Sequence, residues 1–545
     1  MNKKILAAVI LCAASMGSVK AGGFLTNTNA GPGFLRFPAQ EAMFSIESAY
    51  YSPAAIGFLN AGWHLGIYNQ SAFQTRTVQT TFPAFAFRNG QQTHKFKGKS
   101  TVPFIPAVDL AYVKDRFFGS FHFGVIGGGG KCEFQDGLGS FESIISVMPT
   151  ALNGIATVAG MGNIVENGYD VNMYMRARQY YFGAQIGLGY KITDKLSVSL
   201  GGRLVYGTAN YYGYIRDINF TPTNSPLTEA GLLQAGQPTS AANVLNAVGR
   251  AAASKAINQA VSNGMTLEQA QAAAQPLLER VGGLSNMLSS VDVNCDQTAW
   301  GFAPIIALAY KNGPLQIGAR YEFKTRMRLK NSSATTAQQA ALLTNLAEYE
   351  DGREVAADIP ALLAAGVSYA FTPRLRAGLS AHYFFDKDAH QHGGKQKRLK
   401  GNTWELLAGV EYDVTDRLTA SIGAQSTNYG LGKDKAYITD ASFVTSSYSL
   451  GAGVKFKASE RVSVSLAYFK TLYYSTTKTQ QDFNGISSTL GRIGGMTQQM
   501  GLIDEAGAQA LTTQLGTLSA GGAFKGTELF DRTNDVIGVG VEVHF

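Results

Sequence analysis

The chain ends in Ile537-Gly538-Val539-Gly540-Val541-Glu542-Val543-His544-Phe545, which alternates without a break. Every odd position is Ile, Val or Phe, and every even one is Gly, Glu or His. A period of two belongs to a β-strand, whose successive side chains leave on opposite faces. In a soluble sandwich the apolar face of such a strand would be core. Here the other face is small residues and scattered charge, as expected where it lines a lumen and the apolar face meets lipid.

The same period recurs upstream around six tight polar links: Lys114-Asp115-Arg116, Thr193-Asp194-Lys195, Asn312-Gly313-Pro314, Thr372-Pro373-Arg374, Thr415-Asp416-Arg417 and Ser459-Glu460-Arg461. After Lys195, the residues Leu196, Val198, Leu200, Leu204 and Tyr206 interleave with Ser197, Ser199, Gly201 and Arg203. Before Thr415, the residues Trp404, Leu406, Ala408, Val410 and Tyr412 interleave with Glu405, Gly409, Glu411 and Asp413. Alternating runs bounded by polar turns read as paired strands. The pattern predicts about fourteen, near 61–77, 101–114, 117–126, 173–192, 196–216, 297–311, 314–330, 358–371, 374–388, 402–414, 417–428, 445–457, 461–476 and 534–545. An even count closes a barrel with both ends on one side. Short and long connections alternate, as periplasmic turns and extracellular loops do. The expected fold is all-β: a 14-stranded antiparallel transmembrane β-barrel with large loops at 127–172, 217–296, 331–357 and 477–533.

Composition agrees. Of 545 residues, 15% are charged, 11% aromatic and 45% hydrophobic, and 62 are glycine. A soluble globular protein is nearer a quarter charged. Beyond the N-terminus no apolar run approaches the roughly 18 residues of a spanning helix, which excludes a helical membrane protein. Three cysteines exclude a disulfide scaffold. At the start, Met1-Asn2-Lys3-Lys4 is basic and Ile5 to Met16 is nearly unbroken apolar. Val19-Lys20-Ala21 then sets small residues at the −3 and −1 positions of a cleavage site. Residues 1–21 thus read as a secretory signal peptide. Cys12 follows Leu11 inside the apolar run, which does not fit a lipoprotein site. Cleavage would start the chain at Gly22, leave 524 residues and lower the net charge from +8 to +5. So mild an excess does not argue for nucleic acid.

Residues 22–60 do not alternate. They are rich in Gly, Ala, Asn and Phe and carry Pro32, Pro38 and Pro53. Fourteen strands enclose a lumen too wide for their own side chains to fill. This segment is therefore expected inside as a hatch, with residues 61–545 forming the barrel. Phe24, Phe34, Phe37, Phe44, Tyr50 and Tyr51 weigh against a solvated tail. The long loops carry helical signals: residues 242–286 are Ala-rich with helical spacing, and Thr266-Leu267-Glu268-Gln269 reads as a capping box. Phe141-Glu142-Ser143-Ile144-Ile145-Ser146-Val147-Met148 is apolar for a surface loop. These loops either cap the mouth by packing on one another or form an apolar landing groove, and the two are compatible.

Several stretches together resemble the outer-membrane long-chain fatty-acid transporter family (FadL-type), which includes aromatic-hydrocarbon transporters. Ser45-Ile46-Glu47-Ser48-Ala49-Tyr50-Tyr51-Ser52-Pro53-Ala54-Ala55 is similar to the end of that family's hatch, with Ser52 where its Asn-Pro-Ala motif has Asn. Val102-Pro103-Phe104-Ile105-Pro106 resembles its second strand. Trp300-Gly301-Phe302 through Tyr310, with Leu315-Gln316-Ile317-Gly318-Ala319-Arg320-Tyr321, resembles its middle hairpin. Asp358-Ile359-Pro360-Ala361-Leu362-Leu363-Ala364-Ala365-Gly366-Val367-Ser368-Tyr369 resembles its Leu-Pro strand, with Ile359 for Leu. Phe545 closes the chain as in bacterial outer-membrane barrels. The resemblance implies an N-terminal hatch containing Ser52, Pro53 and Ala54. It also implies an apolar ligand passing from the loops to a lumen pocket, and a kinked third strand giving lateral access to the membrane. Gly124 and Gly127, the latter opening a run to Gly130, are the kink candidates, since glycine within a strand marks a bulge or break; the alternative is a Gly-rich loop start.

Strand parity nominates Arg203, Arg320, Lys324 and Arg376 as lumen-facing cations. Each either receives a ligand carboxylate, which suits the Arg fork, or pairs with a lumen acid such as Glu322, Glu411 or Glu542; Arg203 and Arg320 are favoured for the ligand. No catalytic constellation is evident. His122 and His382 lack Ser or Asp partners by spacing, and His390-Gln391-His392 reads as polar loop. Gly127 to Lys131 lacks the spacing of a phosphate loop. No enzyme, metal or cofactor is expected. Cys132 and Cys295 fall in different extracellular loops, where a disulfide is chemically permitted.

The expectation is a monomeric multi-pass barrel of a Gram-negative outer membrane. It would pass long-chain fatty acids or similar hydrophobic small molecules by passive, hatch-gated diffusion, with outer-membrane lipid as its other partner. An acyl chain gains about 0.8 kcal/mol per CH₂ removed from water, so it needs a dry slot and not a water-filled pore. The rivals are an aromatic-hydrocarbon channel, a structural or adhesive barrel, and a general diffusion pore.

Overall fold

The alternating segments become one closed sheet. The computed structural model describes residues 29–333 and 349–545. The signal peptide expected at residues 1–21 and the first residues of the segment after it lie outside them. Fourteen antiparallel strands run in sequence order: β1 Gly62–Thr81, β2 Thr93–Lys114, β3 Phe117–Phe134, β4 Val165–Lys191, β5 Leu196–Pro222, β6 Ser290–Asn312, β7 Leu315–Glu322 with Arg328–Ser333, β8 Glu354–Ala356 with Leu362–Ala370, β9 Leu375–Phe384, β10 Thr403–Asp413, β11 Leu418–Asn428, β12 Ser447–Lys457, β13 Val462–Tyr473 with Thr476–Gln480, and β14 Gly526–His544. Closure is made by β1 and β14, in register from His64 opposite His544 to Thr81 opposite Thr527.

All six tight links join consecutive strands at the end that also holds both barrel termini. In outer-membrane barrels the short turns lie at the periplasmic end. Ile537, Val539 and Val541 of β14 are exposed on the outer face, while Val536, Gly538 and Gly540 face inward and are buried. Aromatic rings gather at both margins of this apolar belt. Trp63 packs on Tyr112 and Phe117 on Tyr190 near the short turns; Tyr206 packs on Trp300 and Tyr448 on Tyr474 toward the long loops. Such girdles sit where the ring can be half in water and half in hydrocarbon.

The strands exceed their sequence-read limits on one side. β4 and β5 are each 27 residues long, whereas β9 has 10 and β10 has 11. The barrel is therefore a tall wall of β1–β6 and β14 facing a low wall of β8–β12. Above the membrane the inner faces of tall strands are covered by loops, so lipid-type alternation fades there while the hydrogen-bonded ladder continues.

Two strands expected as continuous are interrupted side by side. Pro360, which has no N–H to give, lies in the break of β8, next to the break of β7. The buried Asp358 carboxylate repairs the site by accepting from the Met327 N–H at 3.1 Å and pairing with Arg328 at 2.8 Å.

The long loops pack on one another as a cap. Helices Gly139–Val158, Ala241–Ser262, Ile486–Met500 and Glu505–Ala520 contribute to one apolar cluster that includes Phe82, Phe85, Phe141, Met148, Val244, Phe483 and Leu511. The apolar run at 141–148 is the buried face of the first of these helices. Helix Leu267–Ser289 begins with the expected capping box, as the Gln269 N–H donates to Thr266 Oγ1 and the Thr266 N–H donates to Gln269 Oε1. Inside the barrel, residues 32–58 form short helical turns, Pro32–Arg36, Gln40–Ala42, Ser48–Tyr51 and Pro53–Phe58, and are almost wholly buried.

Candidate functional site

The inserted segment is a floor, seated in the wall by glycine. Gly378, Gly409, Gly423 and Gly451 occupy neighbouring positions on β9 to β12, each opposite the next in register. A Cβ at Gly409 would stand 2.7 Å from the Phe37 ring, and one at Gly451 would stand 1.9 Å from the Leu35 carbonyl oxygen. The missing side chains thus become the socket for Leu35, Phe37 and Pro38. Opposite, the hatch motif lies on β4 and β5: the Ala54 carbonyl accepts from Ser197 Oγ at 2.7 Å, and Pro53 packs over Gly187. Ser52 Oγ is buried against Gly318 of β7.

Charge pairs clamp the same floor. Arg203 Nη1 and Nη2 bind both oxygens of Glu322 at 2.7 and 3.0 Å, and the guanidinium lies 4.8 Å over the Tyr50 ring. Arg320 donates to the Tyr50 carbonyl and stands 3.1 Å from Glu322. Arg36 of the floor reaches Glu411 of β10, which Arg376 also holds, at 2.7 Å through Nε. Arg376 binds Asp413 as well. Glu41 meets His382 at 2.7 Å, and His382 meets Glu405 at 2.8 Å. Lys324 sits in the β7 break, where Nζ donates to the Asp388 carbonyl at 2.9 Å. All four cations nominated by parity therefore have protein partners, and Arg203, Arg320 and Arg376 pair with the acids Glu322 and Glu411. Removing one partner of such a buried pair typically costs about 3–5 kcal/mol, because the other charge is left uncompensated.

Above the floor lies a cavity of about 160 Å³. Asn29 and Phe34 are its base, Phe469 and Tyr473 part of its wall, and Tyr437 and Phe443 from the β11–β12 loop its roof. Two arginines of the tall wall face it, Arg76 of β1 and Arg532 of β14. Arg76 is 7% exposed, and its Nε has no hydrogen-bond partner. Arg532 donates to Gln74 at 2.9 Å and lies 4.8 Å over the Tyr473 ring, with its Nε unpartnered too. Among the described residues neither has an ion-pair partner. Sequence reading missed both: β14 was started at 534, two residues too late for Arg532. Parity carried two steps further along β14 places Arg532 on the lumen face with Asn534 and Val536.

The cavity reaches a seam in the wall. β2 and β3 pair from Lys114–Phe117 up to Ala107–Gly124 and again only at Lys99–Glu133 and Gly98–Phe134. Residues 100–106 of β2 have no partner on β3. Pro103 and Pro106 bring no N–H to that edge. Gly124 ends the regular pairing with β2, and Gly127 lies at a register shift against β4, with a second shift before Gly130. Gly128 adopts φ +108°, and a Cβ there would stand 2.3 Å from the Gln179 carbonyl oxygen. The register break is thus glycine-dependent, centred at 127–130 just beyond Gly124. Val102, Ile105, Gly128, Gly129 and Tyr180 line both seam and cavity. Tyr180 belongs to the outer face by parity, so the cavity reaches into the thickness of the wall there.

The disulfide considered between Cys132 and Cys295 is not formed; both are free and buried. The strands extend higher than the sequence reading allowed, so Cys132 is on β3 and Cys295 on β6, with β4 and β5 between them.

No family model matches the chain, and no curated protein matches it. Among solved structures, a FadL homologue of Pseudomonas aeruginosa superposes with a TM-score of 0.55 at 12% identity, covering 96% of this chain and all of that one (100%). The chain has a FadL-type fold. Two further solved structures are similar to it. The Pseudomonas putida toluene transporter TodX has a TM-score of 0.49 at 12% identity, over 92% of this chain and 94% of that one. The Ralstonia pickettii toluene transporter TbuX has a TM-score of 0.45 at 14% identity, over 95% and 99%. With the FadL homologue the match covers nearly the whole length of both chains, inserted floor and barrel alike.

Proposed function

We propose that this protein is an outer-membrane channel for hydrophobic small molecules that bear a carboxylate, with long-chain fatty acids as the fitting class. One observation carries the reading: a cavity walled by aromatic and polar side chains, with the buried Arg76 and the half-buried Arg532 both free of ion pairs among the described residues, lies between a clamped floor and a seam in the barrel wall. An acyl chain gains from each CH₂ taken out of water, and its head needs a partner that remains charged in a buried site. Arg76 and Arg532 supply that partner. The route runs from the loop cap into the cavity and out through the seam, and residues 29–58 act as the hatch. Transport is passive diffusion down a gradient, by one chain acting alone and without a cofactor.

The density of charge on the two sides of the floor supports lateral exit. Below it lies a charged vestibule of about 560 Å³ lined by Arg374, Arg376, Arg417, Asp413, Asp416 and Glu542. An acyl chain would be surrounded by ionised groups there, whereas at the seam it meets Val102 and Ile105. The clamped floor speaks against a general diffusion pore. An aromatic-hydrocarbon channel has no use for two unpaired arginines. The test is binding of a long-chain fatty acid and of its methyl ester to the purified protein. The reading expects the acid to bind at least about tenfold more tightly, one charge-assisted hydrogen bond being worth about 1.5–3 kcal/mol. Equal binding would leave the uncharged cargo as the better reading.

A further inference from the structure

Cations line the outside of the tall wall just above its apolar belt. On β2, Lys95, Lys97 and Lys99 are exposed and alternate with Phe96, Gly98 and Ser100, which are buried inward. Lys131 of β3 and Arg178 of β4 are exposed, and Arg176 is partly so. Register gathers them into one patch: Lys99 faces Glu133, Lys131 faces Arg178, and Glu133 faces Arg176. Beneath them on the same strands come the exposed Phe104 and Phe123, the latter stacked on Phe182. The patch therefore stands at the height of lipid headgroups, on the face that looks away from the protein.

Its charge is largely uncompensated. Lys131 pairs with Glu133 at 2.6 Å, and Arg176 donates to Asn210 at 3.0 Å. Among the described residues Lys95, Lys97, Lys99 and Arg178 have no ion pair. The acids at this level are Glu133, already held, Asp531, two strands from Lys97 across Thr77, and Asp296, two strands from Arg178 across Asn210, to which Asn210 donates at 2.9 Å. Like charges side by side on a sheet repel, so the patch gains from facing a fixed array of anions. At this position the outer leaflet provides one.

We propose that this patch binds the phosphate groups of the outer-leaflet glycolipid, lipopolysaccharide, and so ties the two banks of the seam together. Above the seam, β2 and β3 are joined by only two residue pairs, Lys99–Glu133 and Gly98–Phe134. Lys99 stands on one bank and Lys131 and Arg178 on the other. A phosphate between them bridges the banks electrostatically and confines the opening to the stretch below. The inference rests on the outer-membrane placement and is independent of the cargo.

The test uses the full-length protein in detergent, with rough lipopolysaccharide and the same glycolipid stripped of phosphate as probes. Wild type is expected to bind the phosphorylated form more tightly, with an affinity that falls as salt rises. K95Q/K97Q/K99Q/R178Q is expected to lose at least about tenfold. K114Q/K195Q/R417Q/R461Q, which removes equal charge at the periplasmic turns, is expected to match wild type. Equal binding of both glycolipids by wild type, or a salt-independent affinity, would overturn the proposal, and neither requires the variant to fold. A folded quadruple variant that binds like wild type would overturn it as well.

Discussion

Arg76 of β1 stands directly opposite Arg532 of β14 in the ladder that closes the barrel, and both face the cavity above the floor. Two like charges on opposed residues are unfavourable by themselves. Arg76 is also buried and Arg532 partly so. The pair makes sense when a third, negative group completes it.

R76Q and R532Q should each weaken binding of a long-chain fatty acid by about 10- to 100-fold, the worth of one charge-assisted hydrogen bond at about 1.5–3 kcal/mol. Binding of the methyl ester should change by no more than about twofold. Because each substitution relieves repulsion, neither unliganded variant should melt below wild type. Calorimetric titration with acid and ester, alongside thermal melts, checks all three outcomes.

The register break depends on Gly128. Alanine there must hold φ near +108° and press its Cβ against the Gln179 carbonyl. That strain is about 1–3 kcal/mol, and β3 is expected to relieve it by straightening toward β2. G128A should therefore bind fatty acid as wild type does but deliver it to the bilayer more slowly. A stopped-flow assay with vesicle-entrapped fluorescent fatty-acid sensor separates binding from delivery.

The floor should make the channel electrically tight. Deleting residues 22–55 is expected to raise single-channel conductance in a planar bilayer, and unchanged conductance would count against the floor as the seal. G451V should act in the same direction with the segment still present, since its side chain must displace Leu35 from the wall. Overpacking of this kind costs about 1–3 kcal/mol.

The loop cap carries an acid-sensitive contact. Glu142 is buried, which by itself would raise its carboxyl; His94 at 2.9 Å and Arg88 at 3.1 Å outweigh burial and hold it below the usual carboxylate value. A depressed carboxyl stabilises above the ordinary range of about 4.3, and that contribution is lost as pH falls through the lower folded value. Protease nicking of the 135–164 loop should rise as pH drops below about 4. In E142Q the nicking should be higher at neutral pH and nearly independent of pH in that window.

Much of this architecture is legible in the residues. The strict alternation of 537–545 and the six polar links mark the lipid-facing wall, because hydrocarbon permits no exception there. The Asn-Pro-Ala-like Ser52-Pro53-Ala54 lies in the floor, and a glycine-rich register break follows Gly124. What escaped has physical causes. Above the membrane, both faces of a tall strand are polar or covered by loops, so the ends of β3, β6 and β14 carry no lipid signature. That hid Arg532 and put Cys132 and Cys295 in loops when they lie on strands. Parity found Arg203, Arg320 and Arg376 but not their partners, which depend on strands far apart in sequence and on the inserted floor. The glycines at 378, 409, 423 and 451 read only as small lumen residues until the floor filled the space above them.

The proposed passage of carboxylate-bearing hydrophobic molecules through the outer membrane is open to direct measurement. It is tested most directly by uptake of labelled long-chain fatty acid in cells lacking the protein, complemented with wild type or with R76Q/R532Q. Saturable uptake is expected with wild type and near-background uptake with the double variant at equal surface expression. Equal uptake in complemented and uncomplemented cells would contradict it.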